Sequence, residues 1–370
     1  MKDMAIKDLE LEKLTKPLLE WYEENKRELP WRSEPAPYRV WVSEIMLQQT
    51  RVEAVKPFFE RFTQRLPDVK ALAECDEDEL LKLWEGLGYY NRVRNMQKAA
   101  RQIMEEHGGA LPADYEALLK LKGIGSYTAG AIASIAFKLP VPAVDGNVLR
   151  ILTRVAMDDT DIMKASFRKE IELQLREYMQ GEKFDSQFSG TYNQALMELG
   201  ATVCVPNGAP FCDRCPWQEL CLANKEGRML DFPVKTKAKA RRIEKRTVFV
   251  IRDGERVAIR KRPEKGLLAG LYELPNVEGK LSRDEVLEQV KQAGLAPLRI
   301  QKLEDAKHIF SHVEWHMSGY AILVEELEEE KNNLLFVEAW DSQERYAIPA
   351  AFAAYAGYMG IKIGQEKFLE

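Results

Sequence analysis

The sequence predicts a chain of two unlike parts, an all-α region followed by an α+β domain. The chain has 370 residues, whereas a single hydrophobic core stops growing at roughly 250–300 residues. Up to about residue 225, apolar residues recur at intervals of three and four, as at Leu14, Leu18, Leu19, Trp21 and Tyr22, which is the period of a helix buried on one face. After residue 246 the period changes to two, which is typical of strands. We therefore expect a helical region over residues 1–225, a linker over 226–246 and a mixed domain over 247–370.

The composition is that of a globular protein. With 45% hydrophobic and 31% charged residues, the chain is neither a disordered nor a fibrous polymer. The longest apolar run, Ala129 to Phe137, is too short to cross a membrane, and the first residues carry charges where a signal peptide needs an apolar block. We therefore expect a cytoplasmic protein that does not bind membranes. The formal net charge of −5 argues against coating of nucleic acid by bulk positive charge but allows a local basic surface.

Two carboxyl groups lie in contrasting sequence environments. Glu44, in PYRVWVSEIMLQQT, lies on an otherwise apolar helix face, where loss of hydration favours its protonated form. Asp145, in PAVDGNVLRIL, precedes a helix, where its ionised form is favoured. One neutral and one ionised carboxyl group suit cleavage of a glycosidic bond. Taken alone, Asp145 is also explained as a helix cap, and Glu44 is also explained as a salt-bridge partner.

Glycines separate two helical patterns between Leu118 and Phe137. Gly123 and Gly125 lie at the joint, and the small residues 129–131 that follow permit close helix packing. Amides at the start of the second helix point outward and can bind an anion such as phosphate. A plain tight turn is the alternative interpretation.

Four of the five cysteines lie close together after the helical patterns, at Cys204, Cys212, Cys215 and Cys221. Four thiolates in so short a segment can hold a tetrahedral zinc ion or a [4Fe-4S] cluster. Zinc sites usually show two close pairs of cysteines, and only one such pair is present here. Cys75 lies apart and is predicted to be a structural thiol.

The carboxyl-terminal part begins with a basic segment and continues with strands. Residues 225–246 hold nine Lys or Arg and three acids, a local charge of +6 that leaves −11 elsewhere; we interpret the segment as a solvated linker. A hairpin is predicted from 247–251 and 256–261 around Asp253 and Gly254, with further strands at 309–310 and 313–324. Ser282 and Glu285 form a capping box that begins a helix, and Pro349 suits the first turn of a last helix.

Taken in order, these elements resemble the helix-hairpin-helix DNA glycosylases with an iron–sulfur loop, the endonuclease III superfamily, and within it the A/G-specific adenine DNA glycosylases of the MutY family. The resemblance is carried by WVSEIMLQQTRV at 41–52, GLGYYNRVRN at 86–95, GIGSYTAG at 123–130, VDGNVLR at 144–150, YNQALMELGA at 192–201, the four cysteines and FSH at 310–312. It implies a six-helix barrel module with an iron–sulfur module, followed by a MutT/Nudix-like α+β domain. It also implies a monomer that acts at the nucleoid in base excision repair.

The resemblance assigns chemical roles to individual residues. Glu44 would protonate adenine, Asp145 would stabilise the oxocarbenium-like sugar, and Asn147 would orient this machinery. Tyr127 stands where bifunctional relatives carry a Schiff-base lysine, which implies a monofunctional enzyme. The four cysteines would hold a [4Fe-4S] cluster that shapes a DNA-binding loop including Arg214. Between Cys204 and Cys212 the chain has seven residues where the family usually has six.

The implied partner is double-stranded DNA with adenine opposite 8-oxoguanine or guanine. Gly123 and Gly125 would grip a backbone phosphate. The positions that resemble duplex wedges or lesion-strand contacts are Leu47, Gln48, Thr50, Leu87 and Tyr89, and those that resemble the adenine pocket are Trp31, Arg32 and Gln194. Phe310, Ser311 and His312 resemble the lesion-sensing loop. The glutamate-rich helix of Nudix hydrolases is missing, since positions 293 and 294 are Ala and Gly, so we do not expect a nucleotide pyrophosphatase.

Two other functions agree with parts of the pattern. The first is a bifunctional glycosylase and lyase of the same superfamily acting on damaged pyrimidines, which would need an amine nucleophile. The second is a mismatch sensor without catalysis, which would bind lesions without releasing a base.

Overall fold

The computed structural model describes residues 6–236, 240–326 and 333–360. It separates into two compact units. The first unit comprises Met1–Glu74 and Asn95–Lys237, and the second comprises Cys75–Arg94 and Ala238–Glu370. The break near residue 237 falls inside the segment predicted as a linker. The assignment of Cys75–Arg94 to the second unit was not predicted from the sequence. A helical period shows which face of a helix is buried, but not the hydrophobic core against which that face packs.

The described residues of the first unit form helices and no strands. A helix of 16 residues, Asn91–Glu106, begins in the second unit and continues into the first. The α-helices in chain order are α1 (Leu11–Asn25), α2 (Pro30–Ser33), α3 (Pro37–Leu47), α4 (Val52–Arg65), α5 (Val69–Glu74), α6 (Glu77–Leu83, in the second unit), α7 (Asn91–Glu106), α8 (Tyr115–Lys120), α9 (Ser126–Ile135), α10 (Gly146–Ala156), α11 (Ala165–Gln180), α12 (Ser189–Thr202) and α13 (Leu222–Lys225).

The periodicity predicted for this unit is confirmed in part, since Leu19 and Trp21 of the predicted pattern are only partly buried. Leu11, Leu14, Leu18 and Tyr22, at spacings of three and four, form the buried face of α1. They join a cluster that includes residues of α10, α11 and α12. Small residues in α9 allow close packing: a Cβ on Gly130 would lie 2.0 Å from the carbonyl oxygen of Pro142. The close approach predicted from the sequence is therefore confirmed.

The second unit is built around a mixed sheet. Its strands are β1 (Arg242–Asp253), β2 (Arg256–Lys261), β3 (Tyr272–Glu273), β4 (Asn276–Glu278), β5 (Pro297–Lys302), β6 (Ala306–Ile309), β7 (Val313–Val324) and β8 (Leu335–Glu338). Its later helices are α14 (Arg283–Gln292), α15 (Ala339–Arg345) and α16 (Ala353–Ala356). The main order is β3-β2-β1-β7-β5, with β1 and β7 parallel. One buried cluster includes Val248, Val257 and Trp315.

Local sequence signals in this unit are confirmed in most cases. β1 and β2 form the predicted hairpin, and Gly254 adopts a φ of 68° that favours glycine. Ser282 and Glu285 form the predicted capping box of α14. The prediction of one helix beginning at Pro349 is wrong, since a 3₁₀ turn, Ala350–Phe352, precedes the short α16. The acidic run at residues 325–330, interpreted from the sequence as a solvated surface, lies outside the described part of the chain from residue 327 onward. No helix among the described residues is long and apolar enough to span a bilayer.

Candidate active site

The helical unit contains a cavity of about 1050 Å³ that is open to solvent. It is lined by residues from α2, α3, α4, α9, α10, α11 and α12 and by residues just before α2, α4, α9 and α10. Eleven of the residues predicted to act on DNA line this cavity, namely Trp31, Arg32, Glu44, Leu47, Gln48, Thr50, Gly125, Tyr127, Asp145, Asn147 and Gln194. The structure thus brings together side chains that are separated by more than 160 positions in the sequence.

Glu44 lies on the buried side of α3. Its side chain is 6% exposed, and the Tyr127 hydroxyl of α9 donates a hydrogen bond of 2.5 Å to its Oε2. Burial, with a further contribution from the charge of Asp145, raises the pKa of Glu44 to about 7, although the hydrogen bond and Arg32 act in the opposite direction. The predicted desolvated carboxyl group is therefore confirmed. Near neutral pH this group can hold a proton and give it up.

Asp145 caps the amino terminus of α10. Its Oδ1 accepts a hydrogen bond from the Val148 amide at 2.8 Å, and its Oδ2 accepts one from Asn147 Nδ2 at 2.7 Å. Burial nevertheless raises the pKa of Asp145 above its ordinary value, and these hydrogen bonds offset only part of that rise. The helix start does favour ionisation, as predicted, but burial outweighs it, so the net direction predicted for the pKa of Asp145 is wrong. Asp145 still has more donors around its carboxylate than Glu44 has, which favours Asp145 as the anion of the pair.

The orientation of Asn147 is determined by two partners. Its amide nitrogen donates to Asp145, and its amide oxygen accepts a hydrogen bond of 2.7 Å from Arg150 Nη2. The buried Arg150 also donates to the carbonyl oxygens of Cys204 at 2.8 Å and of Gly200 at 2.6 Å. A Cβ on Gly200 would lie 2.6 Å from Cβ of Asn147. Asn147 therefore has little freedom to rotate away from Asp145.

The glycine-containing turn between α8 and α9 forms one rim of the cavity. Gly123 has a φ of 79°, and a Cβ there would lie 2.7 Å from Cβ of Asn95, so both conformation and space require glycine. Gly125 is the extended residue before α9, without a side-chain cap, and a Cβ there would meet no atom within 4 Å. The first amides of α9 therefore face open space, as an anion site requires. Gly125 lines the cavity, whereas Gly123 shapes the turn behind it.

The opposite wall contains a buried ion cluster that sequence reasoning missed. Glu198 of α12 is 1% exposed and binds Arg27 through hydrogen bonds of 2.6 and 2.9 Å, and Arg32 through one of 2.7 Å. Beside it, the Tyr22 hydroxyl lies 3.4 Å from Oε1 of Gln194. The signal was available, because Glu198 is an acid among apolar residues of a helix, as Glu44 is. Its arginine partners could not be read from the sequence, since Arg27 lies 171 positions away.

The four clustered cysteines line one apolar cavity between α10, α12 and the loop before α13. Arg154 donates from Nη1 to Sγ of Cys204 at 3.2 Å, which suits a thiolate ligand. Gly208, with a φ of 76°, lies in the seven-residue loop, and the Phe211 amide closes that loop on the Val203 carbonyl at 3.0 Å. The extra residue is thus absorbed within the loop.

The four thiols share this cavity, and among the described residues no group of three or more Cys, His, Asp or Glu side chains is arranged to hold a metal ion. A zinc ion and a [4Fe-4S] cluster therefore both remain predictions from the cysteine spacing. Cys75 belongs to the other unit.

The second unit contains its own cavity of about 780 Å³. Five further residues predicted to contact DNA line it, namely Leu87, Tyr89, Phe310, Ser311 and His312. Tyr89 is 52% exposed, has a φ of 49°, and accepts a hydrogen bond of 3.3 Å from the Ser311 hydroxyl. Leu87 and Tyr89 were predicted to act with Leu47, Gln48 and Thr50, but the structure assigns these two sets to different units.

Comparison with known proteins relates this geometry to a family. The family described as HhH-GPD superfamily base excision DNA repair protein matches residues 42–177, and a NUDIX domain matches residues 247–356. Adenine DNA glycosylase of Mus musculus is 36% identical over 370 residues, which cover 84% of this chain and 70% of that protein. The chain belongs to the adenine DNA glycosylase family. A second family member, from Buchnera aphidicola subsp. Schizaphis graminum, is also 36% identical and is covered over 84% of its length.

A solved structure supports the fold of the helical part. A thermostable thymine-DNA glycosylase superposes with a TM-score of 0.51 at 23% identity, over 58% of this chain and 97% of that one. The predicted fold class, a helix-hairpin-helix glycosylase followed by a MutT/Nudix-like domain, is confirmed. For this member of the adenine DNA glycosylase family, the roles of individual residues remain predictions.

Proposed function

We propose that this chain is a monofunctional DNA glycosylase that hydrolyses the N-glycosidic bond of adenine mispaired with 8-oxoguanine or guanine, in base excision repair. The observation that carries the proposal is that Glu44 and Asp145 line the same cavity while one of them is held near its protonation midpoint. Relatives named adenine DNA glycosylase in a mammal and a bacterium support the choice of base.

Glu44 would supply the proton that makes adenine a leaving group. An adenine anion is a poor leaving group, so protonation of a ring nitrogen lowers the barrier to breaking the bond to the sugar. A carboxyl group with a pKa of about 7 is protonated in half of the molecules at neutral pH. The Tyr127 hydroxyl holds Glu44 in one orientation and remains its partner after the proton has left.

Asp145 would stabilise the positive charge that develops on the sugar. A fixed carboxylate beside an oxocarbenium-like centre acts electrostatically, or forms a transient bond to the sugar that water then hydrolyses. Asn147 and the Val148 amide hold both carboxylate oxygens, so the group is oriented before substrate arrives. The proton from Glu44 would go to the base, water would supply the hydroxyl of the sugar product, and the proton that this water loses would return to the Glu44 carboxylate.

Strand cleavage would require an amine that this cavity does not supply. A Schiff base forms when a lysine attacks the sugar carbon. The described residues that line the cavity include no lysine, and Tyr127 carries a phenol where such an amine would stand. This supports a hydrolase without lyase activity.

DNA would be held at two kinds of surface. The amides at the start of α9 suit a backbone phosphate, and the neighbouring cavity suits a base rotated out of the duplex. In the second unit, Tyr89, Phe310, Ser311 and His312 would contact the lesion strand. Ser311 would form a hydrogen bond with the edge of 8-oxoguanine that differs from guanine.

Cys204, Cys212, Cys215 and Cys221 would hold a [4Fe-4S] cluster, which ties the loop containing Arg214 to α10 and α12. Bound to these thiols, the group would supply a covalent cross-link within the DNA-binding unit, and no step of the hydrolysis would pass through it. Brown protein with broad visible absorbance is expected, and it should persist in Cys75→Ser but not in Cys212→Ser. Colourless protein with one zinc ion per chain would contradict the cluster.

The decisive experiment is base release from defined duplexes. Pure protein is incubated with duplexes carrying adenine opposite 8-oxoguanine, guanine or thymine, and abasic sites are revealed with alkali. Strand breaks should appear only after alkali and only with the first two duplexes. Borohydride should trap no protein–DNA adduct, whereas a trapped adduct would establish the lyase alternative. Tight binding of the mismatch without release of any base would establish the noncatalytic sensor.

A further inference from the structure

The buried ion cluster on the wall of the active-site cavity is unexplained by the proposed chemistry. Glu198 accepts hydrogen bonds from Arg27 Nε and Nη2, from the Arg27 amide at 3.1 Å, and from Arg32 Nη2. Arg32 also donates to the Arg27 carbonyl at 3.0 Å, and its guanidinium lies 5.6 Å from the centre of the Tyr22 ring. Glu198 is therefore held by two arginines, and the Arg32 guanidinium by both Glu198 and the Arg27 carbonyl.

Burial alone would keep Glu198 neutral, but its partners reverse that effect. Burial favours the protonated form, while hydrogen bonds from Arg27 and Arg32 and their charges lower the pKa of Glu198 to about 2. Glu198 is thus ionised at neutral pH. Two guanidinium groups and one carboxylate leave a net charge of +1 in the cluster.

Glu44 shares the cavity with this cluster. The titratable or charged groups that line the cavity are Arg27 and Arg32 at α2, Arg51 and Glu53 at α4, Tyr127 of α9, Asp145 of α10, Arg168 of α11 and Glu198 of α12. Arg51 and Glu53 are exposed, and Arg168 is engaged with the Val144 carbonyl at 2.7 Å. Of the cations, Arg32 is the one that stabilises the ionised form of Glu44. An uncompensated arginine here would remove the proton that the reaction needs.

We propose that Glu198 is a positioning residue that anchors and neutralises the guanidinium groups of Arg27 and Arg32, so that Glu44 faces a compensated ion cluster instead of two free cations. The proposal rests on the proposed function in assigning Glu44 as the acid. It explains why a third acid is buried in the wall of this cavity and is bound to two arginines. It also explains why two arginines can line a cavity whose acid must stay protonated.

According to this proposal, the net charge of the cluster, and not its shape, controls the pKa of Glu44. Glu198→Gln keeps the size of the side chain but raises the net charge of the cluster from +1 to +2. A nearby opposite charge lowers the pKa of a carboxyl group by about one to three units. The pKa of Glu44 should therefore fall by about one unit, and excision at pH 8 should fall about tenfold beyond any loss that is independent of pH.

Single-turnover excision of adenine opposite 8-oxoguanine, measured from pH 5 to pH 9, tests this. The alkaline limb of the profile should move to lower pH in Glu198→Gln. It should return towards the wild-type position in Glu198→Gln combined with Arg32→Gln, even though that double variant is slower overall. A limb that stays at the wild-type position in Glu198→Gln, whatever the loss of rate, overturns the proposal and leaves Glu198 a purely structural residue.

A second variant changes the net charge of the cluster in the opposite direction, and it tests the proposal even if Glu198→Gln does not fold. Arg27→Gln lowers the net charge of the cluster to zero, and the side chain of Arg27 is 33% exposed and so more tolerant of change. Its alkaline limb should move to higher pH. The matched control is Asp158→Asn, which alters a buried carboxylate bonded to the Ile6 and Thr160 amides and does not line the cavity. The alkaline limb of the Asp158→Asn profile should stay at the wild-type pH. If it moves as in Glu198→Gln and Arg27→Gln, general loosening of the fold explains the shifts and the proposal fails.

Titration of Glu44 in the free protein separates this proposal from the proposed function. Carbon-13 NMR of labelled glutamate carboxyl groups, with the Glu44 signal assigned by its loss in Glu44→Gln, needs no substrate. If the wild-type protein releases no base, the proposed function fails, while the shift of the Glu44 titration in Glu198→Gln still decides the role of Glu198.

Discussion

The cavity of the helical unit and the cavity of the sheet-containing unit place their polar groups in opposite environments. In the first, Glu44, Asp145 and Glu198 are held by side chains from several helices, and burial changes their acidity. In the second, Tyr89 is half exposed, and Ser311 and His312 are exposed at the end of a strand. Burial provides the pKa shifts that acid catalysis needs, whereas a group that reads a base must be accessible. The two cavities therefore suit different tasks.

The comparison predicts that the greatest loss follows from removing the charge of Asp145. Asp145→Asn should lower excision by at least about a thousandfold, since no anion then stabilises the sugar cation, while duplex binding persists. Single-turnover rates and gel-shift affinities measure the two effects. Asn is also a good helix cap, and Asp114→Asn, at the cap of α8, controls for capping. Normal turnover by Asp145→Asn would remove it from the mechanism.

Removal of the acid should have the next largest effect. Glu44→Gln retains the hydrogen bond to Tyr127 but has no proton to give, so excision should fall about a hundredfold or more. Thermal stability should rise or stay constant, because a buried ionisable group is replaced by a neutral one. A variant with wild-type rates would show that water or DNA supplies the proton.

The wild-type enzyme should lose activity as pH rises through about 7. The pKa of Glu44 is raised to about 7, and only the protonated form is active, so activity is retained below this pH and lost above it. Between pH 7 and pH 9 the rate should fall about fiftyfold, as the protonated fraction does. The alkaline limb should disappear in Glu44→Gln. A limb that persists there would belong to another group.

Changes in the second cavity should have the smallest effect, and only on lesion preference. Ser311→Ala should lower the ratio of excision opposite 8-oxoguanine to excision opposite guanine by about fivefold, the value of one hydrogen bond. Stability should be unchanged because Ser311 is exposed. Ser318→Ala, which loses a hydroxyl bonded to Asp305 in the same unit, should leave the ratio unchanged. Equal losses with both opposing bases would show that Ser311 only supports binding.

The amino-acid sequence determined the features that depend on neighbouring residues. Gly123 and Gly125 mark the turn, Asp145 caps α10, Ser282 and Glu285 begin α14, and the apolar surroundings of Glu44 indicate its burial. Each of these depends on side chains within a few positions, so period and residue type suffice to predict it.

Tertiary structure alone decided which groups meet. Tyr127 reaches Glu44 across 83 positions, and Glu198 joins Arg27 across 171. Packing between distant segments also decides the parallel pairing of β1 with β7 and the assignment of Cys75–Arg94 to the second unit. The sign of the pKa shift at Asp145 also belongs here, since the local cap favours the anion and burial by remote helices reverses it. The hydration and the electrostatic potential at a site depend on every segment packed around it, so a short stretch of sequence does not predict them.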